Sequence, residues 1–386
     1  EEALFDYRFS DFAGFDEDAG LAFKPYTIKQ VGGVRVAVIG QAFPYTPIAN
    51  PQRFIPDWTF GIQDDRMQEI VDRVREDEKP DLVVVISHNG MDVDLKMASR
   101  VSGIDVIFGG HTHDGVPTPS VVKNAGGQTL VTNAGSNGKF LGVMDMEVKN
   151  GKLQDFRYRL LPVFSNLLAA DPEMQAYIEN TRAPYKDKLE EKLAVTEETL
   201  YRRGNFNGTF DQVICDALIK VNDAQVSLSP GFRWGTSVLP GQTITMDHVM
   251  DQTCITYPET YRREMKGSEI KAILEDVCDN LFNKDPYIQQ GGDMVRVGGL
   301  DYVCDPNAGM GKRILDIQLD DGTKVEADKS YVVAGWATVG SKSPGRPIWD
   351  VVADYLRDQK TVRIAKLNTP KLKGVEGNPG IQDYKA

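Results

Sequence analysis

Histidine is scarce in this chain, with four residues among 386. Cysteine is equally scarce. Cys215, Cys254, Cys278 and Cys304 are widely spaced and form no CxxC pair, which argues against a zinc knuckle and a CxxC redox motif. They fit buried thiols, or one or two disulfides. No run approaches the about 18 consecutive apolar residues of a membrane helix, so no membrane association is expected. Basic residues are outnumbered, 44 against 56 acidic, and the net charge of −12 disfavours nucleic acid or an anionic membrane surface as a partner. Any anion-binding site must be a local feature.

The few histidines are not scattered. The stretch Asp105-Val-Ile-Phe-Gly-Gly-His111-Thr-His113-Asp114 begins as a short apolar run and meets a Gly-Gly pair, the pattern of a buried strand ending in a tight turn. His111 and His113 stand at i and i+2. On a helix that spacing would send the rings to different faces, whereas a turning segment can aim both at neighbouring metal ions. A second such unit lies upstream, Asp81-Leu-Val-Val-Val-Ile-Ser-His88-Asn-Gly90, so three of the four histidines end apolar runs. A histidine alone is most often a satisfied core or surface residue. Three at strand ends point to metal ligation.

Length argues for two domains. Residues 1–30 read as irregular structure ending in an edge strand, and Val34 to Ile39 as a buried strand stopped by Gly40. Gln41 to Pro51 holds three prolines, which predicts a rigid loop without helix, at the end of a strand where α/β proteins place binding residues. Asp64 to Glu78 has a helical period with Ile70, Val71 and Val74 as its stripe, and Leu95 to Val101 reads as a short helix. Thr129 to Gly135 and Phe140 to Val148 read as paired strands, and Asn150-Gly151 as a hairpin turn into Phe156 to Leu161. This alternation predicts a layered α/β domain.

Asp171 to Lys192 is a charged helical stretch capped by Asp171-Pro172, and the domain boundary is placed inside it. Beyond it, Thr209 to Val221 reads as an apolar helix and Ala224 to Leu228 as a strand running into Ser229-Pro-Gly-Phe-Arg233-Trp234-Gly235. His248 is placed on a helix capped by Thr245, with no metal role.

The SHNG segment followed by DVIFGGHTH resembles the last two ligand blocks, HxG and GHxH, of the metallophosphoesterase domain of the 5'-nucleotidase family. In that family DxH, GDxxD and GNHE complete the set, and two metal ions are held. The resemblance implies that His88 and His111 bind one metal and His113 the other. The first three blocks do not occur before His88, so the chain is expected to be the C-terminal portion of a longer enzyme, with the bridging Asp, the Asn ligand and the catalytic His outside it. The chain by itself is then expected to hold an incomplete metal site or none and to be inactive.

The implied fold class is α/β (α+β): part of a layered metallophosphoesterase domain over residues 1–170, a linker helix over 171–196, and a 5'-nucleotidase C-terminal-like substrate domain over 197–386. Leu239 to His248 and Lys266 to Leu274 resemble that second domain.

A two-metal site activates a water and draws charge off a tetrahedral oxyanion, so the metal blocks do not choose between phosphate and sulfur esters. The second domain must. Arg233 falls where nucleotidases carry the arginine of GGIR; it reads either as an oxyanion clamp or as a surface ion pair. The nucleobase-stacking aromatic of GxFLQVxG is Met294 here, and the second stacking Phe is lost in Ala334-Gly-Trp336. Losing both forfeits about 1 to 3 kcal/mol per stacking contact, which argues against a nucleoside.

GQAFPYTPIANP, SPGFRWG, YIQQGGDMVRVGGLDY and AGWATV are together similar to the SoxB-type thiosulfohydrolase branch of the family. That likeness implies a dimanganese enzyme of the periplasm, zinc being the alternative ion, that releases sulfate from a cysteine conjugate on the SoxYZ carrier protein. It implies Arg233, Trp234 and Arg296 as clamp and wall of the substrate channel. Two other readings stay open. One is a periplasmic 5'-nucleotidase or cyclic-nucleotide phosphodiesterase, which needs stacking from a residue such as Tyr287. The other is an inactive carrier-binding module.

Overall fold

The computed structural model describes residues 23–340 and 343–376. The expectation of irregular structure over residues 1–22 lies outside the described residues. The chain divides into two compact units, Glu1–Ala170 with Asp285–Gly291, and Asp171–Lys284 with Gly292–Ala386. The helical stretch that begins at Asp171 thus falls in the second unit, and a short later segment falls in the first.

In the first unit β1 (Tyr26–Val31) turns at Gly32 and Gly33 into β2 (Val34–Gln41). The proline-rich loop that follows is not wholly irregular: α1 (Thr46–Ala49) makes one turn, with Pro47 in the first-turn position where its missing N–H costs nothing. Next come α2 (Asp64–Arg73), β3 (Leu82–Ser87), α3 (Met91–Arg100) and β4 (Val106–Gly109). After them run β5 (Ser120–Asn124), β6 (Gly127–Asn133), β7 (Phe140–Lys149) and β8 (Lys152–Pro162).

Six strands form one sheet in the order β1-β2-β3-β4-β6-β5, with β2, β3, β4 and β6 parallel. The period-2 alternation of a strand decides what each face meets. Ala37, Ile39, Val83, Val85, Ile107 and Val131 pack with Met67, Ile70, Val71 and Val74 of the α2 region and with Met97 and Ala98 of α3. Their neighbours Val36, Leu82, Val84, Val106 and Leu130 face the other way and pack on Met144, Met146, Val148, Leu153 and Phe156. Asn150 and Gly151 both take positive φ, 53° and 67°, as the type I′ turn of the β7–β8 hairpin requires.

The expected pairing of Thr129–Gly135 with Phe140–Val148 does not form. β6 pairs with β4 and with β5, and β7 pairs with β8. β5 was not among the expected strands; Pro117 and Pro119 precede it, and it lies at the edge of the sheet, where prolines are tolerated.

In the second unit the charged helix is broken. α4 (Pro172–Arg182) begins with the Asp171 carboxylate accepting from the Met174 amide at 2.9 Å, a turn at Ala183–Tyr185 contains Pro184, and α5 (Lys186–Leu189) follows. A proline inside a helix removes a hydrogen bond and clashes with the preceding turn, which accounts for the break.

Then come β9 (Lys192–Thr196), α6 (Thr209–Asn222), β10 (Val226–Ser229), β11 (Thr243–Thr245) and α7 (Met246–Thr253), the last capped by Thr245 as expected. They are followed by β12 (Thr260–Lys266), α8 (Gly267–Phe282), β13 (Arg296–Gly298), β14 (Leu300–Cys304) and β15 (Ile314–Leu319). β16 (Ser330–Trp336) and α9 (Ile348–Gln359) complete the main layers.

The central sheet has the order β12-β16-β10-β13. One core gathers α6, α7 and α9 through Val213, Ile214, Leu218, Val249, Val352 and Leu356 with Ala334 and Trp336 of β16. A second core joins Val226, Leu228 and Val333 to Ile270, Leu274 and Cys278 of α8 and to Tyr302 and Ile314.

Candidate functional site

The parallel strands β2, β3 and β4 end together, and the histidine segments leave from those ends. This is the edge at which α/β sheets place ligands. His88 follows β3 directly, and its backbone N–H donates to the Gln41 carbonyl of β2 at 3.0 Å. Its loop is pinned from below by Asp94, a fully buried residue of α3. The Ser87 hydroxyl donates to Asp94 Oδ1 at 2.6 Å and the Asn89 amide to the same oxygen at 3.1 Å. Burial pushes the Asp94 carboxyl up to about 7, the two hydrogen bonds opposing the shift. Asp94 Oδ2 faces Gly109, where a Cβ would lie 2.6 Å from it, so only glycine lets β4 run past this carboxyl.

His111 and His113 have φ of 71° and 62°, the left-handed region that non-glycine residues seldom enter. The loop is held by Met91 N–H to Thr112 Oγ1 at 3.0 Å and by the Asn133 amide to the Gly110 carbonyl at 3.2 Å. The His88 and His111 ring centroids are 5.3 Å apart, and Phe43 of the proline loop stacks on His111 at 4.1 Å. A carbonyl oxygen only accepts, so the 3.1 Å contact of His111 Nε2 with the Gln290 carbonyl puts the proton on Nε2. That is the arrangement by which an imidazole is oriented for metal binding through its other nitrogen.

Gln290 is brought there by the Asp285–Gly291 segment. Lys96 pairs with Asp285 at 2.6 Å and lies 3.8 Å over the Tyr287 ring. The Tyr287 hydroxyl donates to Asp64 at 2.5 Å, and the Tyr45 hydroxyl donates to the Tyr287 carbonyl. Tyr287, named above as a base-stacking residue for the nucleotidase reading, is thus engaged as an anchor. Gly291 closes the segment at φ 76°, and a Cβ there would lie 2.3 Å from His111 Nε2. Imidazole chemistry and the backing carbonyl suit a metal, yet among the described residues no group of three or more His, Cys, Asp or Glu could hold an ion.

The second unit contains the arginine site. Arg233, in the loop after β10, approaches Asp293 at 3.6 Å. Asp293 is tied to Arg296 at 2.8 Å, Arg296 to Asp211 at 3.3 Å, and Asp211 to Arg202 at 2.6 Å. Arg296 is fully buried and also donates to the carbonyls of Phe206 and Gly204. The expectation that Arg296 touches substrate is therefore corrected. Its guanidinium neutralises two buried carboxylates and sets the position of Asp293, and a group so enclosed cannot receive a ligand.

Arg233 is half-buried. Arg203, which sequence reading missed, has its pKa lowered by burial and next by the charge of Arg233, with Asp293 opposing. Two arginines near enough to repel across one carboxylate make a local positive site on an acidic chain. The adjacent Arg202-Arg203 pair was the available signal.

Trp234 stacks on Phe232 at 3.9 Å, and its indole N–H donates to the Gln252 carbonyl at 3.1 Å. Trp336 meets the other ring of that pair edge-on, 5.7 Å from Phe232, and donates to Ser229 at 2.7 Å. Met294 is fully buried in the core. His248 serves its helix cap, as expected.

The layered architecture is the fold shared with solved structures of the 5'-nucleotidase family. Residues 192–354 match the 5'-nucleotidase C-terminal domain family. The structure is similar to Thermus thermophilus sulfate thiohydrolase SoxB, with 37% identity and a TM-score of 0.87 over 94% of this chain and 66% of that one. A 5'-nucleotidase precursor from Thermus thermophilus shares the fold at 22% identity and a TM-score of 0.76, over 91% of this chain and 75% of that chain. In sequence the chain is 27% identical over 354 residues to the trifunctional nucleotide phosphoesterase YfkN of Bacillus subtilis, covering 87% of this chain and 23% of that protein. These relatives are hydrolases. The chain spans only part of their length, 66% for SoxB and 23% for the Bacillus protein.

Proposed function

We propose that this chain supplies the histidine half of a dimetal centre and the substrate domain of a thiosulfohydrolase, which releases sulfate from a cysteine-bound thiosulfonate on a SoxYZ-type carrier protein. The observation that carries the reading is the likeness to SoxB, at 37% identity over 94% of the chain. The second unit supports it. Met294 stands where nucleotidases place a stacking aromatic and is buried, while Phe232 packs against both Trp234 and Trp336. In this reading Arg233, with Arg203 beside it, would grip the oxygens of a tetrahedral anion, and Trp234 would wall the approach of a carrier peptide.

His88, His111 and His113 would hold part of the metal set, two manganese ions in the complete enzyme or zinc in their place. Bound metal supplies an activated water and charge stabilisation at the anion. This chain's own contribution is orientation, through the Gln290 carbonyl on His111 and Asp94 beneath the His88 loop. A carrier-bound substrate and an extracytoplasmic, periplasmic setting belong to the same proposal.

The test compares two substrates on the full-length protein supplied with Mn²⁺. Sulfate release from a thiosulfonate-loaded carrier, without phosphate release from AMP, is the expected result. Phosphate release from AMP or a cyclic nucleotide would overturn it in favour of the nucleotidase reading. Carrier binding with neither activity would instead make the chain a docking module.

A further inference from the structure

Cys278 lies on the buried stripe of α8 that also carries Ile270 and Leu274, successive fourth residues of one helix face. Cys304 ends β14 and is buried beside it. Their sulfurs are 3.6 Å apart, in contact but unbonded, and both thiols are free. A disulfide needs about 2.05 Å, so closure asks for a movement of about 1.5 Å, within reach of rotation about the two side-chain bonds and a small shift of the helix. The other two cysteines differ. Cys215 is buried on α6, in neither the stripe nor the contact, and Cys254 is exposed.

We propose that Cys278 and Cys304 are a disulfide site, joined when the chain folds in thiol-oxidising surroundings and left as thiols in reducing ones. The neighbouring Cys304 sulfur, and next burial, hold the Cys278 thiol well above its ordinary pKa, so the folded core gives no ready thiolate. Oxidation therefore takes place before α8 docks on β14, or when the two separate. With a low-molecular-weight disulfide such as oxidised glutathione, one protein thiolate attacks and releases one glutathione thiolate. The second protein thiolate then attacks the mixed disulfide and releases the other. Two protein thiols lose two protons and two electrons, and one oxidised glutathione becomes two reduced ones. The crosslink spans a separation of 26 residues that includes Asp285–Gly291, and so restricts the unfolded chain on either side of that segment.

The full chain is unfolded and reduced, then refolded with oxidised and reduced glutathione or with dithiothreitol, alkylated under denaturing conditions and mapped by mass spectrometry. The expected product joins the peptides of Cys278 and Cys304 and leaves Cys215 and Cys254 alkylated. Its thermal midpoint exceeds that of the reduced protein by on the order of 5 to 10 °C. The difference vanishes in Cys304→Ala and in Cys278→Ala. Four alkylated cysteines after oxidative refolding, a link through Cys254 or Cys215, or an oxidised form that melts below the reduced one would overturn the proposal.

Discussion

Asp94→Asn isolates a single buried proton. The folded protein holds the Asp94 carboxyl at about 7, against an ordinary value of 3.8, with burial as the cause. A folded pKa above the unfolded one means that the native state binds the proton more tightly. The stability it contributes is full below the unfolded value and is lost as pH rises through the folded one. About three pKa units at 1.36 kcal/mol each come to roughly 4 kcal/mol, lost between about pH 4 and pH 8. Asparagine keeps an oxygen for the Ser87 and Asn89 donors but cannot ionise.

Urea unfolding of wild type and variant across that range gives the difference between the two curves, from which the other carboxylates cancel. That difference should shift against the wild type by about 4 kcal/mol as pH rises, most of it before pH 7. Parallel curves would refute the reasoning, because they would mean that the carboxyl is hydrated or already paired with a charge.

Gly291→Ala places a methyl against His111 at a backbone angle that alanine resists, and should lower stability by about 1 to 3 kcal/mol and move the His111 ring resonances. Gly241→Ala has a similar φ, 79° against 76°, with nothing within 4 Å, so equal losses in the two variants would show that the contact with His111 carries nothing. Arg296→Ala removes the nearer charge partner of Asp293 and one of the two charge partners of Asp211, both buried, and should cost about 3 to 5 kcal/mol in unfolding measurements. Arg233→Ala should melt near wild type while turnover in the full-length enzyme falls on the order of 10² to 10³-fold; a large loss of melting temperature would make Arg233 structural instead. Limited proteolysis should cut first between Val163 and Asp171, where Val163, Phe164, Leu167 and Leu168 are exposed.

Local patterns read truly where one short stretch holds all the information. The period-2 runs of β2, β3 and β4, the Asn150-Gly151 turn, the Asp171-Pro172 cap and the Thr245 cap are each set by backbone sterics and by neighbours within a few residues. The concentration of histidines at strand ends was legible for the same reason, since a strand, a Gly-Gly turn and a polar cluster lie in one segment.

Folding over distance decided the rest. Whether β6 pairs with β4 or β7 depends on which edge is free, and no residue of β6 encodes that choice alone. His111 meets a carbonyl 179 residues away, and Arg296 meets one 90 residues away. Arginine in a sequence carries the same charge whether it will face an anion in water or two carboxylates in a core. Only the packed chain sets the dielectric and the partners that separate Arg233 from Arg296, and that raise the fully buried Asp94 carboxyl to about 7.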